Sequence, residues 1–125
     1  MLCLWMLLGC GEPAPMFTCT DRSELHDVTP LSGGRAVWCE RKNGTRHGPF
    51  REFRADGSRF KDGQYHNNRK TGTWALYHPS GEPMESAEYA EGTLNGWKTV
   101  WSADGSVQSR TWNVDGEPSE PPEAP

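Results

Sequence analysis

A 24-residue period governs more than half of this chain. Gly48, Gly72 and Gly96 stand 24 residues apart, Gly57, Gly81 and Gly105 do the same, and the aromatics Phe53, Tyr77 and Trp101 keep the interval. A fixed period of roughly 20 to 50 residues marks a repeat architecture, in which one supersecondary unit buries its apolar face only against its neighbours. The stretch 48–116 therefore divides into the segments 48–71, 72–95 and 96–116. In each, a short strand-like run precedes Ala55-Asp56-Gly57, Pro79-Ser80-Gly81 or Ala103-Asp104-Gly105, and a second run follows, to about Tyr65, Tyr89 or Trp112. That is a β-hairpin. Three turn residues ending in glycine suit a type I turn with a G1 bulge, where glycine takes the left-handed position without steric cost. The connections HNNRKTG and AEGTLNG carry the other glycine series, expected where one backbone passes close to the next unit. The third segment has one residue fewer between Gly105 and Trp112, so its last strand is expected to shift register.

The expectation is an all-β fold: three to four stacked 24-residue hairpins forming one elongated antiparallel sheet, with an irregular N-terminal segment and a disordered C-terminal tail. Composition agrees. Only 34% of 125 residues are hydrophobic, too few for a thick core, and 14 glycines with 10 prolines suit turns between short strands better than helices. The net charge of -4 hides a partition, because residues 35–70 carry ten Arg or Lys against four acids. A solvated, arginine-bearing strand face accounts for this more simply than an anionic partner does, and the acidic total opposes a nucleic-acid footprint.

The N-terminus reads MLCLWMLLGC, an apolar run too short to span a bilayer and suited to a signal-peptide core over residues 1–9. Leu7, Leu8, Gly9 and Cys10 resemble the lipobox of bacterial lipoproteins, a resemblance that makes Cys10 the lipid-bearing mature N-terminus. A plain apolar segment or a signal cleaved without lipid attachment is the alternative. Residues 10–18 then form a polar, proline-bearing tether. Residues 19–47 comprise an irregular stretch and a capping strand around AVWCER, which ends at the strong turn signal Asn43-Gly44. Once Cys3 and Cys10 are set aside, Cys19 and Cys39 remain as an even pair that an exported chain would oxidise, the other reading being free or metal-bound thiols. Residues 117–125 are acidic, proline-rich and free of aromatics, which predicts disorder.

The period, with G-x-W/F-x-x-Y/F/W followed by D/S-G and a later tyrosine, resembles MORN repeats, in particular the bacterial variant of YwqK-family antitoxins. Gly48, Phe50 and Phe53, then Gly72, Trp74 and Tyr77, then Gly96 and Trp101 carry the resemblance. Lys98 departs from it, occupying the position of Phe50 and Trp74, with Trp97 displaced by one. The resemblance implies stacked hairpins that offer contact surfaces to proteins or lipids, and it implies no catalytic residues.

The residues themselves offer no catalytic constellation. His26, His47, His66 and His78 show neither the i, i+4 nor the i, i+2 spacing of a metal pair, and no nucleophile or phosphate-loop signature occurs. No cofactor and no metal is expected. Trp38, Trp74, Trp97 and Trp101 either stack as the core of a thin sheet or form an aromatic binding face. The functional expectation is a non-catalytic, envelope-anchored protein-interaction module, held by an N-terminal lipid on the periplasmic side or outer membrane of a Gram-negative bacterium. A lipid- or glycan-binding envelope protein using exposed tryptophans beside the basic first segment is one alternative. A cytoplasmic antitoxin-like protein is another.

Overall fold

The computed structural model describes residues 17–31 and 33–123, and among them every regular element is a β-strand. The strands are β1 (Ser23–Val28), β2 (Arg35–Arg41), β3 (Arg46–Phe53), β4 (Arg59–His66), β5 (Arg69–Tyr77), β6 (Pro83–Ala90), β7 (Thr93–Trp101), β8 (Val107–Val114) and β9 (Glu117–Ser119). They form one open antiparallel sheet in chain order, so every strand pairs only with its neighbours in sequence. Such pairing is local and needs little loop-closure entropy, which favours fast folding for an all-β chain. The segment 1–9 expected to be a signal peptide, Cys10 and all but the end of the expected tether lie outside the described residues.

From β3 onward two turn types alternate along the sheet. At one rim Gly57, Gly81 and Gly105 sit at φ +86°, +93° and +89°. Gly57 N–H donates to Arg54 O at 2.9 Å and Arg54 N–H to Ser58 O at 2.8 Å, the bonds of a three-residue turn with a G1 bulge, and the same pair recurs at His78 and Ser102. Asp56 and Asp104 accept from the residue two ahead, and the Ser58 and Ser106 bonds hold both carboxyls below their usual range.

The opposite rim corrects the sequence expectation. HNNRKTG and AEGTLNG are not long connections: Asn67-Asn68, Glu91-Gly92 and Asp115-Gly116 are two-residue turns, and the residues on either side of them belong to strands. Both residues of each have positive φ, from +47° to +86°, the type I′ geometry whose twist matches that of a hairpin. Each turn leans back on the strand that opens the preceding hairpin, through Asn68 N–H to Arg46 O, Gly92 N–H to Lys70 O and Gly116 N–H to Leu94 O, at 2.8, 2.9 and 2.8 Å. Gly48, Gly72 and Gly96 lie inside β3, β5 and β7, at positive φ, where the ladder to the preceding strand steps its register.

At both ends of the sheet the described residues are more ordered than the sequence suggests. The stretch expected to be irregular contains β1, which pairs with β2 over six residues from Ser23↔Arg41 to Val28↔Ala36. Its pattern is hidden because an edge strand of a one-layer sheet has two wet faces and no reason to alternate. Asp27 and Arg35 tie the two strands at 2.6 Å, and the bond from Arg35 lowers the pKa of the aspartate. The expected disordered tail begins instead with β9, paired to Trp112, Asn113 and Val114, before the chain leaves regular structure at Glu120.

The two faces are covered differently. On one face Phe50, Tyr65 and Trp74 cluster with ring centroids 5.0 to 5.8 Å apart, and Trp74 is only 5% exposed. Arg46 lies over Phe50 and Tyr65 at 6.0 and 5.5 Å, and Lys70, 24 positions on, lies over Trp74 and Tyr89 at 4.7 and 4.9 Å. Each cation closes the rim of its aromatic pair, a contact worth roughly 0.5 to 2 kcal/mol. Burial, with a smaller contribution from Lys61, lowers the Lys70 pKa, and burial raises that of Tyr89. On the other face Val37 and Cys39 are buried, and the chain around Phe17 and Cys19 crosses there, with Arg51 5.7 Å from the Phe17 ring. The Cys19–Cys39 disulfide expected from the leftover pair is present, with Cα atoms 5.6 Å apart.

Substitution at the G1 turns tests this architecture. A Cβ at Gly81 or Gly105 would meet nothing within 4 Å, so valine there costs only the forced positive φ, about 1 to 3 kcal/mol. Gly81→Val disturbs hairpins on both sides and Gly105→Val mainly one. Thermal unfolding followed by circular dichroism should therefore rank wild type highest, then Gly105→Val, then Gly81→Val. Two unchanged melting curves would show that these turns do not need the left-handed residue.

Candidate functional site

The segment 96–116 breaks the aromatic pattern of the two before it. Register is not what changes. Gly96 pairs with Asn113 as Gly48 pairs with Tyr65 and Gly72 with Tyr89, so the expected register shift is absent and the 24-residue correspondence holds to the end of β8. What moves is the side chain. Lys98 stands where Phe50 and Trp74 stand, Asn113 where Tyr65 and Tyr89 stand, and Leu94 where Arg46 and Lys70 stand. The aromatics are each displaced by one residue, to Trp97 and Trp112. Because side chains alternate across a strand, a one-residue displacement transfers both rings to the opposite face.

There Trp97 and Trp112 pair directly, in a T-shaped contact with centroids 5.3 Å apart. The Arg110 guanidinium lies 4.0 Å from the Trp97 ring centre. Trp101 shares this face with Trp97 and Thr99, by alternation along β7. Together Trp97, Trp101, Val107 and Arg110 border a shallow depression of about 420 Å³. Its floor is polar. Thr73, Ser86 and Thr99 contribute hydroxyls from β5, β6 and β7, and the Glu88 carboxylate accepts a hydrogen bond from Trp97 N–H. Val107 is 58% exposed.

The preceding segments serve as internal controls for these side chains. The positions 24 and 48 before Trp97 hold Thr73 and Pro49, and those before Trp112 hold Glu88 and Gln64. The same backbone is thus built without aromatics at either place, and the sheet does not require them here.

Trp38, Trp74, Trp97 and Trp101, expected either to stack as a core along one face or to form one aromatic binding face, divide between the two faces of the sheet. Trp38 and Trp74 lie on the Phe50 face, and Trp97 and Trp101 on the other. Trp74 is core. Trp38 is enclosed between His26, stacked at 5.4 Å, and Arg46, and its indole N–H donates to Glu40 Oε2 at 2.8 Å. The basic first segment therefore presents its packed aromatics on a different face from the more open indoles of the third. Trp112 was not among the expected surface residues, although its offset by one from the Tyr65 and Tyr89 series was readable in the sequence.

The buried histidine has structural partners. His47, 8% exposed, accepts from Asn67 N–H through Nδ1 at 3.2 Å, which leaves Nε2 facing Asp21 Oδ2 at 3.4 Å, and it packs against His66. Among the described residues no group of three His, Cys, Asp or Glu is placed to hold a metal. No known family model matches the sequence, and no curated protein is significantly similar to it.

Proposed function

We propose that this protein is a non-catalytic interaction module of the cell envelope, a sheet of three to four MORN-like hairpins whose contact surface is the Trp97–Trp101 depression. The observation that carries the reading is the transfer of an aromatic pair, with register preserved, from the packed face to the open one. A packing role would have kept those rings opposite Trp74 and Tyr89. Indoles bordered by an arginine and hydroxyls combine large apolar area with fixed donors, the composition of protein contact surfaces. The Cys19–Cys39 disulfide supports an oxidising compartment and so favours export over a cytoplasmic antitoxin-like role. Separation of the basic first segment from the open indoles favours a protein partner over the lipid or glycan reading, which joined the two. In this reading Cys10 carries the lipid.

Photo-crosslinking in the native envelope tests the surface. A crosslinker at Val107 should give discrete adducts that Trp101→Ala reduces at least several-fold, and one at Val100, on the other face of the sheet, should not. Equal labelling from both faces, or adducts indifferent to Trp101, would remove the reading. Palmitate labelling lost in Cys10→Ser is the matching expectation for the anchor, and retained labelling would overturn it.

A further inference from the structure

β9 ends where the chain stops being able to pair. Beyond Ser119 come Glu120, Pro121, Pro122 and Glu123, and prolines have no N–H to give to the β8 ladder, so this stretch leaves the sheet and lies exposed. Consecutive prolines hold it near polyproline II, an extended form that loses little entropy on docking. Such segments are recognised by grooves lined with aromatic rings.

The depression one strand away has the complementary chemistry. It offers the Trp101 indole, the edge of the Trp97–Trp112 pair and the apolar Val107 for proline rings. Its cation, Arg110, takes part in no ion pair among the described residues, and the Glu88 carboxylate in the same lining is engaged by the Trp97 backbone N–H. Glu120 and Glu123 flank the two prolines, so a carboxylate reaches an arginine when the prolines lie on indole. The stretch does not occupy its own chain's depression. It runs on from β9, at the outer side of β8.

We infer that the depression receives the Glu120–Glu123 stretch of a second copy of this chain. The exchange is reciprocal, each copy giving its stretch and receiving the other's across a two-fold axis. The inference rests on the Trp97–Trp101 face being the contact surface and names what fills it. A contact this small, with one charge-assisted pair and a few stacked rings, gives a weak, salt-sensitive dimer.

Sedimentation of the full chain over a concentration series, with a charge swap, decides it. Wild type should pass from monomer to dimer as concentration rises, and added salt should shift the transition upward. Arg110→Glu should weaken association at least tenfold, and so should the pair Glu120→Lys with Glu123→Lys, which lies outside the sheet and leaves the melting curve unchanged. Combining all three should restore it, a result that damage to the fold cannot produce. A monomer at every concentration would overturn the inference, as would association untouched by either charge change or two weakened variants with no restoration. Chitotetraose that perturbs tryptophan emission of a monomeric wild type would also overturn it and assign the face to glycans. If the dimer fails while crosslinks at Val107 persist, the surface stands and only its occupant is wrong.

Discussion

Gly63→Val is expected to leave the protein largely unfolded at room temperature, and Gly63→Ala to do much of the same damage. Trp74 lies directly over this residue. A Cβ built at Gly63 would fall 2.2 Å from Cδ2 and 2.4 Å from Cε2 of the indole, so no side chain fits without evicting the ring. Eviction breaks the bond from the indole N–H to Gln64 O, made at 3.0 Å, and separates Trp74 from Phe50, Tyr65 and the Lys70 ammonium. Losing a buried tryptophan from a core costs about 3 to 5 kcal/mol. A domain of this size has roughly 5 to 15 in total, and so thin a sheet belongs at the low end. The cost exceeds that at Gly81, although Gly63 has ordinary φ and Gly81 does not, because here the obstacle is a neighbour and not the backbone. Urea titration followed by near-ultraviolet circular dichroism measures it. Gly63→Ala with an unchanged midpoint would mean that the indole does not rest on that glycine. Adding Trp74→Leu to Gly63→Ala should recover part of the loss, since the smaller side chain removes the collision.

Gly63 also shows where the sequence was legible and where it was not. Turns were legible when a glycine announced them: Gly57, Gly81 and Gly105 had to be where the chain reverses, because their period matches the strand pattern around them. The opposite rim was missed because Asn67-Asn68 and Glu91-Gly92 share no residue type at their first position, and because the nearby Gly72 and Gly96 looked like the natural breaks. Those two glycines lie within strands, at bulges. Gly63 carries no period, since the positions 24 before and after it hold Cys39 and Ala87. Its role depends on Trp74 leaning across a neighbouring strand, a tertiary contact with no local signature. The disulfide was legible from cysteine arithmetic once Cys3 and Cys10 were assigned to the expected signal and lipid site. The candidate site was half legible: Lys98 and the displaced Trp97 were visible as departures, but their meaning needed the register. With Gly96 opposite Asn113, a one-residue displacement becomes a change of face. A strand shifted with its aromatics would have kept them on the packed side and left no site.

Removing the disulfide, with Cys19→Ala and Cys39→Ala together, should cost about 3 kcal/mol, the chain-entropy value for a closed loop of 20 residues. The loss should be confined to one end. The bridge is the covalent hold on the chain that crosses Val37 and Cys39, and β1 otherwise meets the sheet through β2 alone. In a sheet whose strands pair only with their neighbours, stability is nearly a sum of local terms, so the far strands do not sense the missing bridge directly. Amide exchange should therefore quicken at least tenfold across β1 and the β1-facing amides of β2, while β5 to β8 keep their protection. Cys39 is 1% exposed and Cys19 only half-buried, so a thiol reagent must attack through the Cys19 side and reaches the Cys39 sulfur only when this end opens. Reduction of the native wild type should be slow and should accelerate in mild urea, below the main unfolding transition. Protection lost evenly over all nine strands would show instead that the sheet unfolds as a single unit. Fast reduction without denaturant would show that the half-buried Cys19 sulfur is open to attack without opening of this end.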